Sequence, residues 1–254
     1  MIRNQEALPV YPPDYRLASK LALSVLFSRK RSFRSDAANW TKALKPPLMI
    51  QGKENIPLNG PFLLVINHFY RPKYKVWWSV LSASALIPVE LHWVMTAAWT
   101  FPKNPMGSCL ESISRWIFRR VAEVYGFFAM PPMPPRAWET EARALAVHRI
   151  LRYVKKDANT AIGLAPEGGD SPSGTLEMPA PGTGRFLLHL AKSGLVIYPL
   201  GIYEANGVLH LNFGKSFDLN CPPEISIEGR DRWGSQVVMQ AIADLLPKNL
   251  RGIF

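Results

Sequence analysis

Cysteine is scarce in this chain: Cys109 and Cys221 are the only two in 254 residues. They lie far apart, with no CxxC pair and no histidine at ligand spacing, so neither a disulfide framework nor a zinc site is signalled. A reducing, cytoplasmic setting follows as the expectation. His148, His189 and His210 also lack ligand spacing, and no metal is expected. Long apolar runs are missing too: no stretch approaches the ~20 residues that a spanning helix needs. The lead from Met1 to Asp14 carries Glu6 and Asp14 among prolines instead of a basic start and an apolar run, which argues against a cleaved signal peptide. Acid is in short supply, with 19 Asp and Glu against 30 Lys and Arg, a net +11. That surplus directs the surface towards anionic partners such as lipid headgroups, nucleic acid or a phosphorylated carrier. No recognition motif for nucleic acid accompanies it, so no nucleic-acid partner is expected. There is no internal repeat, no low-complexity tail and no G-x-S-x-G elbow.

What the chain does have is apolar content, 48 % of it, enough for one large α/β domain with a small appendage. Tyr15 to Phe27 reads as a short helix with more apolar residues than one face can hold: Leu17, Leu21, Leu23, Val25, Leu26 and Phe27. A second, basic helix follows, with Arg29, Lys30, Arg31 and Arg34, then Trp40, Lys42 and Lys45, and Asp36 is the only acid between Tyr15 and Gly52. Apolar burial beside basic charge suits an interfacial anchor on an anionic membrane. A helical hairpin packed on its own domain, its charges solvated, is the other reading. From Pro61 onward short apolar runs alternate with helical stretches, the pattern of a sheet covered by helices. The runs predict strands over Phe62–Ile66, Leu86–Met95, Val121–Met130, Thr160–Leu164, Leu195–Ile202 and Val208–Phe213. Helices are predicted over Lys73–Ala85, Leu110–Arg120, Trp138–Lys155, Gly182–Ser193 and Asp231–Leu246. The expected organisation is a helical membrane-surface element at 1–52 and a single α/β domain at 53–254.

Two constellations can carry chemistry. Val65-Ile66-Asn67-His68 runs a strand into an Asn-His pair at its C-terminal end, where open α/β sheets bind ligands. Histidine titrates near neutrality and can take a proton from an alcohol and return it to a leaving group. The second is Ile162-Gly163-Leu164-Ala165-Pro166-Glu167-Gly168-Gly169-Asp170-Ser171, a strand ending in an acid and two glycines whose backbone N–H groups can approach a ligand or an oxyanion. Alone, the first is more often an ordinary structural histidine, and the second is an ordinary turn as readily as a site. Of Trp77, Trp78, Trp93, Trp99 and Trp116, at least half are expected in the core, and His92 is expected to be structural.

In this order, Asn67-His68, Ala165-Pro166-Glu167-Gly168-Gly169-Asp170-Ser171 and Val196-Ile197-Tyr198-Pro199-Leu200-Gly201 resemble the motifs of the glycerolipid acyltransferase family, which includes the lysophosphatidic acid acyltransferases. The resemblance covers about Pro61 to Phe217, and the basic N-terminal pair is similar to the family's membrane-binding element. It implies acyl transfer from a thioester donor, acyl-CoA or an acyl-carrier protein, to a lipid or polyol hydroxyl, with no cofactor beyond that co-substrate. His68 would be the general base, Asn67 and the Gly168-Gly169 backbone would position groups or stabilise the oxyanion, and Glu167 would organise the acceptor or the imidazole. Lys73, Gly168, Gly169, Asp170 and Ser171 are, on this resemblance, the expected substrate-binding residues. The implied setting is peripheral, on the inner face of the cell membrane.

The departures from the family's pattern matter as much. The family places Asp five positions after the His, and here that position is Lys73, with no acid between Glu54 and Glu90. A carboxylate there orients the imidazole and stabilises its protonated form; in serine-protease triads its loss costs about 10⁴-fold. Glu167 and Asp170 are the candidates to replace it, and Glu90 is a poorer one. Arg residues that the family uses for glycerol phosphate look replaced by Met130-Pro131 and by Asp170, which implies an acceptor without a phosphate at that point unless Arg119, Arg120, Arg136 or Arg185 substitutes. Two alternatives stand beside acyl transfer: a non-catalytic lipid-binding relative, and an esterase built on Ser171 of Gly169-Asp170-Ser171.

Overall fold

The computed structural model describes residues 8–101, 104–171 and 173–254. Met1 to Ala7, at the head of the Pro-rich lead, therefore lie outside the described residues, as do Pro102, Lys103 and Pro172 in the loops. Among the described residues, seven strands form one sheet in the order β1(Met49–Gln51), β7(Val208–Phe213), β6(Val196–Ala205), β2(Phe62–Ile66), β5(Ala161–Leu164), β3(His92–Thr96), β4(Phe128–Met130). Every pairing is parallel except β6 with β7. β2 reads Phe-Leu-Leu-Val-Ile and all five residues are buried, as a strand with helices on both faces must be. The helices are α1(Tyr15–Leu26), α2(Phe33–Thr41), α3(Trp77–Leu86), α4(Gly107–Tyr125), α5(Thr140–Lys156), α6(Thr183–Lys192) and α7(Gly229–Ala243). The fold is thus the single α/β domain with a mixed, largely parallel sheet and an N-terminal helical pair that the sequence pattern implies.

The differences have local causes. The stretch Val121–Met130 is not one strand: α4 continues to Tyr125 and stops at Gly126, whose φ of +71° is the left-handed helix end that glycine adopts without strain. Likewise Leu86 ends α3, and the strand starts only at His92, beyond Pro88. The expected boundary at residue 52 cuts off β1, which pairs with β7 and belongs to the sheet. α2 buries Phe33 and Ala37 against the domain, and the Asp36 carboxylate accepts from Arg31 Nε at 2.7 Å and Nη2 at 2.6 Å. The second N-terminal helix therefore packs on its own core, whereas α1 leaves Tyr15, Leu23, Leu26 and Phe27 exposed. Of the five tryptophans weighed above, Trp78 and Trp93 are buried and Trp77, Trp99 and Trp116 are exposed, fewer core residues than expected.

Candidate active site

The register of the sheet builds the site. β2 and β5 are parallel neighbours with Val65 opposite Leu164, so three residues further on His68 and Glu167 leave the sheet at the same level. The Glu167 carboxylate accepts the backbone N–H of His68 at 2.6 Å through Oε2 and that of Glu177 at 3.4 Å through Oε1. Burial raises the Glu167 carboxyl above its ordinary value, and those two hydrogen bonds pull against the shift. Glu167 thus ties the two strand mouths together through the backbone that carries the imidazole.

The His68 Nδ1 lies 3.1 Å from Asp170 Oδ1. The oxygen lies off the line of the ring N–H, so the contact is close without being an aligned hydrogen bond. The neighbouring His68 holds the Asp170 carboxyl below its usual range, with partial burial opposing and Lys75 adding a smaller pull. A carboxylate thus stands beside the imidazole although Lys73 occupies the position where the family carries one. The turn Arg71–Tyr74 puts Lys73 at φ +70° with its side chain exposed. Glu90 is elsewhere, accepting from Ser32 Oγ and the Arg34 backbone at the start of α2.

Other predicted residues take different roles. Asn67 is buried and uses its amide on one partner, donating to Ile202 O at 2.8 Å and accepting from Ile202 N at 2.7 Å. It extends the β2–β6 ladder past the last strand residue, so of the two expected roles its amide is engaged in positioning the strand mouth and has no spare donor for an oxyanion along these bonds. The Gly168 N–H is spent on Ala165 O at 3.1 Å, and Gly168 itself sits at φ +73°, so it makes the turn and supplies no free donor. At Gly169 a side chain would meet nothing within 4 Å. Ser171 is buried with its hydroxyl on Glu177 Oε1 and Ser173 Oγ, both at 2.7 Å. A serine held by a carboxylate, with no imidazole bonded to it, lacks the base an esterase nucleophile needs.

The site opens into a cavity of about 870 Å³ whose wall includes His68, Lys73 and Gly168 of the predicted residues. Most of the wall is apolar or aromatic, contributed by α1, α2, α3, β3 and α4 through residues such as Leu21, Trp40, Leu81, Trp93 and Phe118. The charges facing it are Lys73, Lys75, Arg143 and Asp36, the last already neutralised by Arg31. Sequence reasoning missed Arg143. It sits on α5 one turn above the buried stripe Ala146, Ile150 and Val154, and that periodicity was the available signal. Arg143 donates to Pro132 O at 2.9 Å and touches Met133 Sδ at 3.8 Å; among the described residues it has no carboxylate in ion-pair range. Burial lowers its guanidinium from the ordinary value. The arginines proposed from the sequence are engaged elsewhere: Arg119 and Arg120 with Glu123, Arg136 with Glu111 and Glu139, while Arg185 is exposed on α6. His92 is structural, held by Gly126 O and Tyr153 Oη at 2.9 Å each. Among the described residues no group of His, Cys, Asp and Glu could hold a metal ion, and no helix is long and apolar enough to cross a membrane.

No curated protein sequence matches the chain. Among solved structures, the fold is similar to the 1-acyl-sn-glycerophosphate (LPA) acyltransferase PlsC from Thermotoga maritima. The TM-score is 0.50 at 17 % identity, covering 92 % of this chain and 83 % of that one. The family described as Acyltransferase matches residues 48–203, more than half of the sequence and the whole span from β1 through the Glu-Gly loop into β6. On that match the chain belongs to the Acyltransferase family.

Proposed function

We propose that this acyltransferase moves an acyl group from a thioester, acyl-CoA or acyl-carrier protein, to the hydroxyl of a lipid or polyol, with His68 as general base. With Nδ1 turned to Asp170, Nε2 is the nitrogen left for substrate. It takes the acceptor proton as the alcohol oxygen attacks the thioester carbonyl, and the tetrahedral intermediate then collapses by breaking the C–S bond. The imidazolium returns its proton to the departing thiolate, so the protein ends as it began. Asp170 stabilises the imidazolium between the two steps, and Glu167 fixes the backbone from which the ring projects.

The single observation that carries this reading is the 3.1 Å approach of Asp170 to His68 beside a large apolar cavity. It also weakens the non-catalytic alternative, whose force came from Lys73. For the acceptor, Asp170 next to the imidazole would repel a phosphate dianion there, which favours a hydroxyl without a neighbouring phosphate. The protein would work at the cytoplasmic surface of an anionic membrane, where +11 net charge and the exposed apolar face of α1 both favour residence. The test is incubation of the purified protein with labelled acyl-CoA or acyl-carrier protein and a panel of phosphorylated and unphosphorylated lipid alcohols, wild type beside His68→Ala, with products identified by mass spectrometry. A single acylated acceptor that disappears in the variant is the expected result. No product with any acceptor, or product that persists in the variant, would overturn the assignment.

A further inference from the structure

The same two helices that wall the cavity also present apolar residues outward. On α1, Leu17 and Leu21, one turn apart, face the cavity. The opposite side carries Tyr15, Leu23, Leu26 and Phe27, the last two 56 % and 65 % exposed. On α4, Phe118, Val121 and Tyr125 face the cavity at helical spacing. The opposite side carries Ile113 and Trp116, 51 % and 49 % exposed. The two helices are fastened where α1 ends: the Arg120 guanidinium donates to Leu26 O at 3.3 Å and to Ser28 Oγ, and the Arg31 N–H donates to Val124 O at 3.0 Å. Guanidinium groups sit over the exposed rings there, Arg29 at 5.6 Å from the Phe27 centroid and Arg120 at 5.9 Å from that of Trp116.

We infer that the outward face of α4, Ile113 and Trp116, rests together with the outward face of α1 in the headgroup layer of an anionic bilayer, which sets the apolar cavity that both helices wall against the lipid surface. The inference rests on the membrane-surface reading above and extends it to α4, a helix inside the catalytic domain. An outward apolar face on either helix alone is an exposed patch that needs covering. Two such faces, flanking one apolar cavity and interleaved with cations, match the layered chemistry of a lipid surface: acyl level for Ile113 and Leu26, headgroup level for Trp116 and the arginines. Of the acids near these faces, Asp36 is paired with Arg31, Glu111 with Arg115 and Arg136, and Glu123 with Arg119 and Arg120, so no unpaired carboxylate among these three opposes anionic headgroups.

The test uses the full chain and the double variant Ile113→Asp/Trp116→Asp, with Ile227→Asp as a control, since Ile227 is 71 % exposed and lies outside both helices. Circular dichroism and thermal melting establish that all three fold. Co-sedimentation with phosphatidylglycerol–phosphatidylcholine vesicles should fall about tenfold or more for the double variant and stay unchanged for the control. Transfer to an acceptor embedded in vesicles should fall with it, while transfer to a short-chain acceptor dissolved as monomer is retained. Unchanged sedimentation of the folded double variant would overturn the inference, as would an equal loss in the control. Sedimentation is read without turnover, so an inactive protein that still needs Ile113 and Trp116 to bind vesicles would sink the catalytic reading and leave this one standing.

Discussion

Asp170→Asn isolates the contact on which the proposed mechanism depends, because the amide keeps the shape of the side chain and removes its charge. The Asp170 side chain is 59 % exposed, so its field at the imidazole is partly screened. At 3.1 Å, an effective dielectric constant between about 40 and 80 gives a charge–charge interaction of about 1.3–2.7 kcal/mol. That is roughly one to two decades in rate if it acts only on the imidazolium formed in the transition state. It is well short of the about 10⁴-fold seen when a buried triad aspartate is lost. Steady-state measurement of acceptor-dependent CoA release, with the variant's fold checked by thermal melting, should therefore show kcat lower by about 10- to 100-fold and KM little changed. A kcat equal to wild type would refute the claim that Asp170 replaces the missing acid. A loss confined to KM would make Asp170 a binding residue only.

Burial holds the Glu167 carboxyl above its ordinary value. Its contribution to stability is complete below the unfolded value of about 4.3 and is lost as pH rises through the folded one. Glutamine stays neutral throughout, so the Tm of Glu167→Gln minus that of wild type should grow more positive from acid to neutral pH, and a flat difference would contradict the buried-carboxyl account. Arg71 grips the buried Glu204 carboxylate with two nitrogens, and Tyr11 donates to the same group, pinning the N-terminal segment beside the turn that follows His68. Removing the cation from such a pair costs about 3 kcal/mol, so Arg71→Ala should lower Tm by roughly 6–12 °C for a chain of this size, and a drop under about 2 °C would show the network to be stabilised from elsewhere. Arg143→Gln should leave KM for an unphosphorylated acceptor within about twofold; a rise confined to phosphorylated acceptors would reassign the acceptor class and make Arg143 its anion contact.

Much of the geometry of the candidate site was legible because the motif residues sit at fixed distances beyond two strands whose apolar runs are unambiguous. Phe62–Ile66 and Val208–Phe213 are strands with the expected limits, and the parallel pairing of β2 with β5 brings His68 to Glu167. What was not legible depends on turns and on edges. The sequence offers Glu167 and Asp170 alike as the replacement acid; which of the two meets the ring depends on the turn at Gly168, which no periodicity encodes. β1 is three residues long and only one of them is even half-buried, so it left no pattern to read. The long apolar stretch ending at Met130 satisfies both helix and strand periods until Gly126 divides it. Asn67 read as chemistry because a polar side chain at a strand mouth usually faces ligand, whereas here it finishes the sheet's own hydrogen bonding. Arg143 escaped notice because a cation on the apolar face of a helix reads as a solvated end residue until the cavity beside it is known.

The most direct measurement is the rate of CoA release that depends on added lipid acceptor, compared between wild type and His68→Ala on vesicles carrying both substrates. If the imidazole is the base, the variant should lose at least about 100-fold in that rate while still binding the vesicles as wild type does. A variant that releases CoA within about threefold of wild type under the same conditions would place the chemistry on some other group.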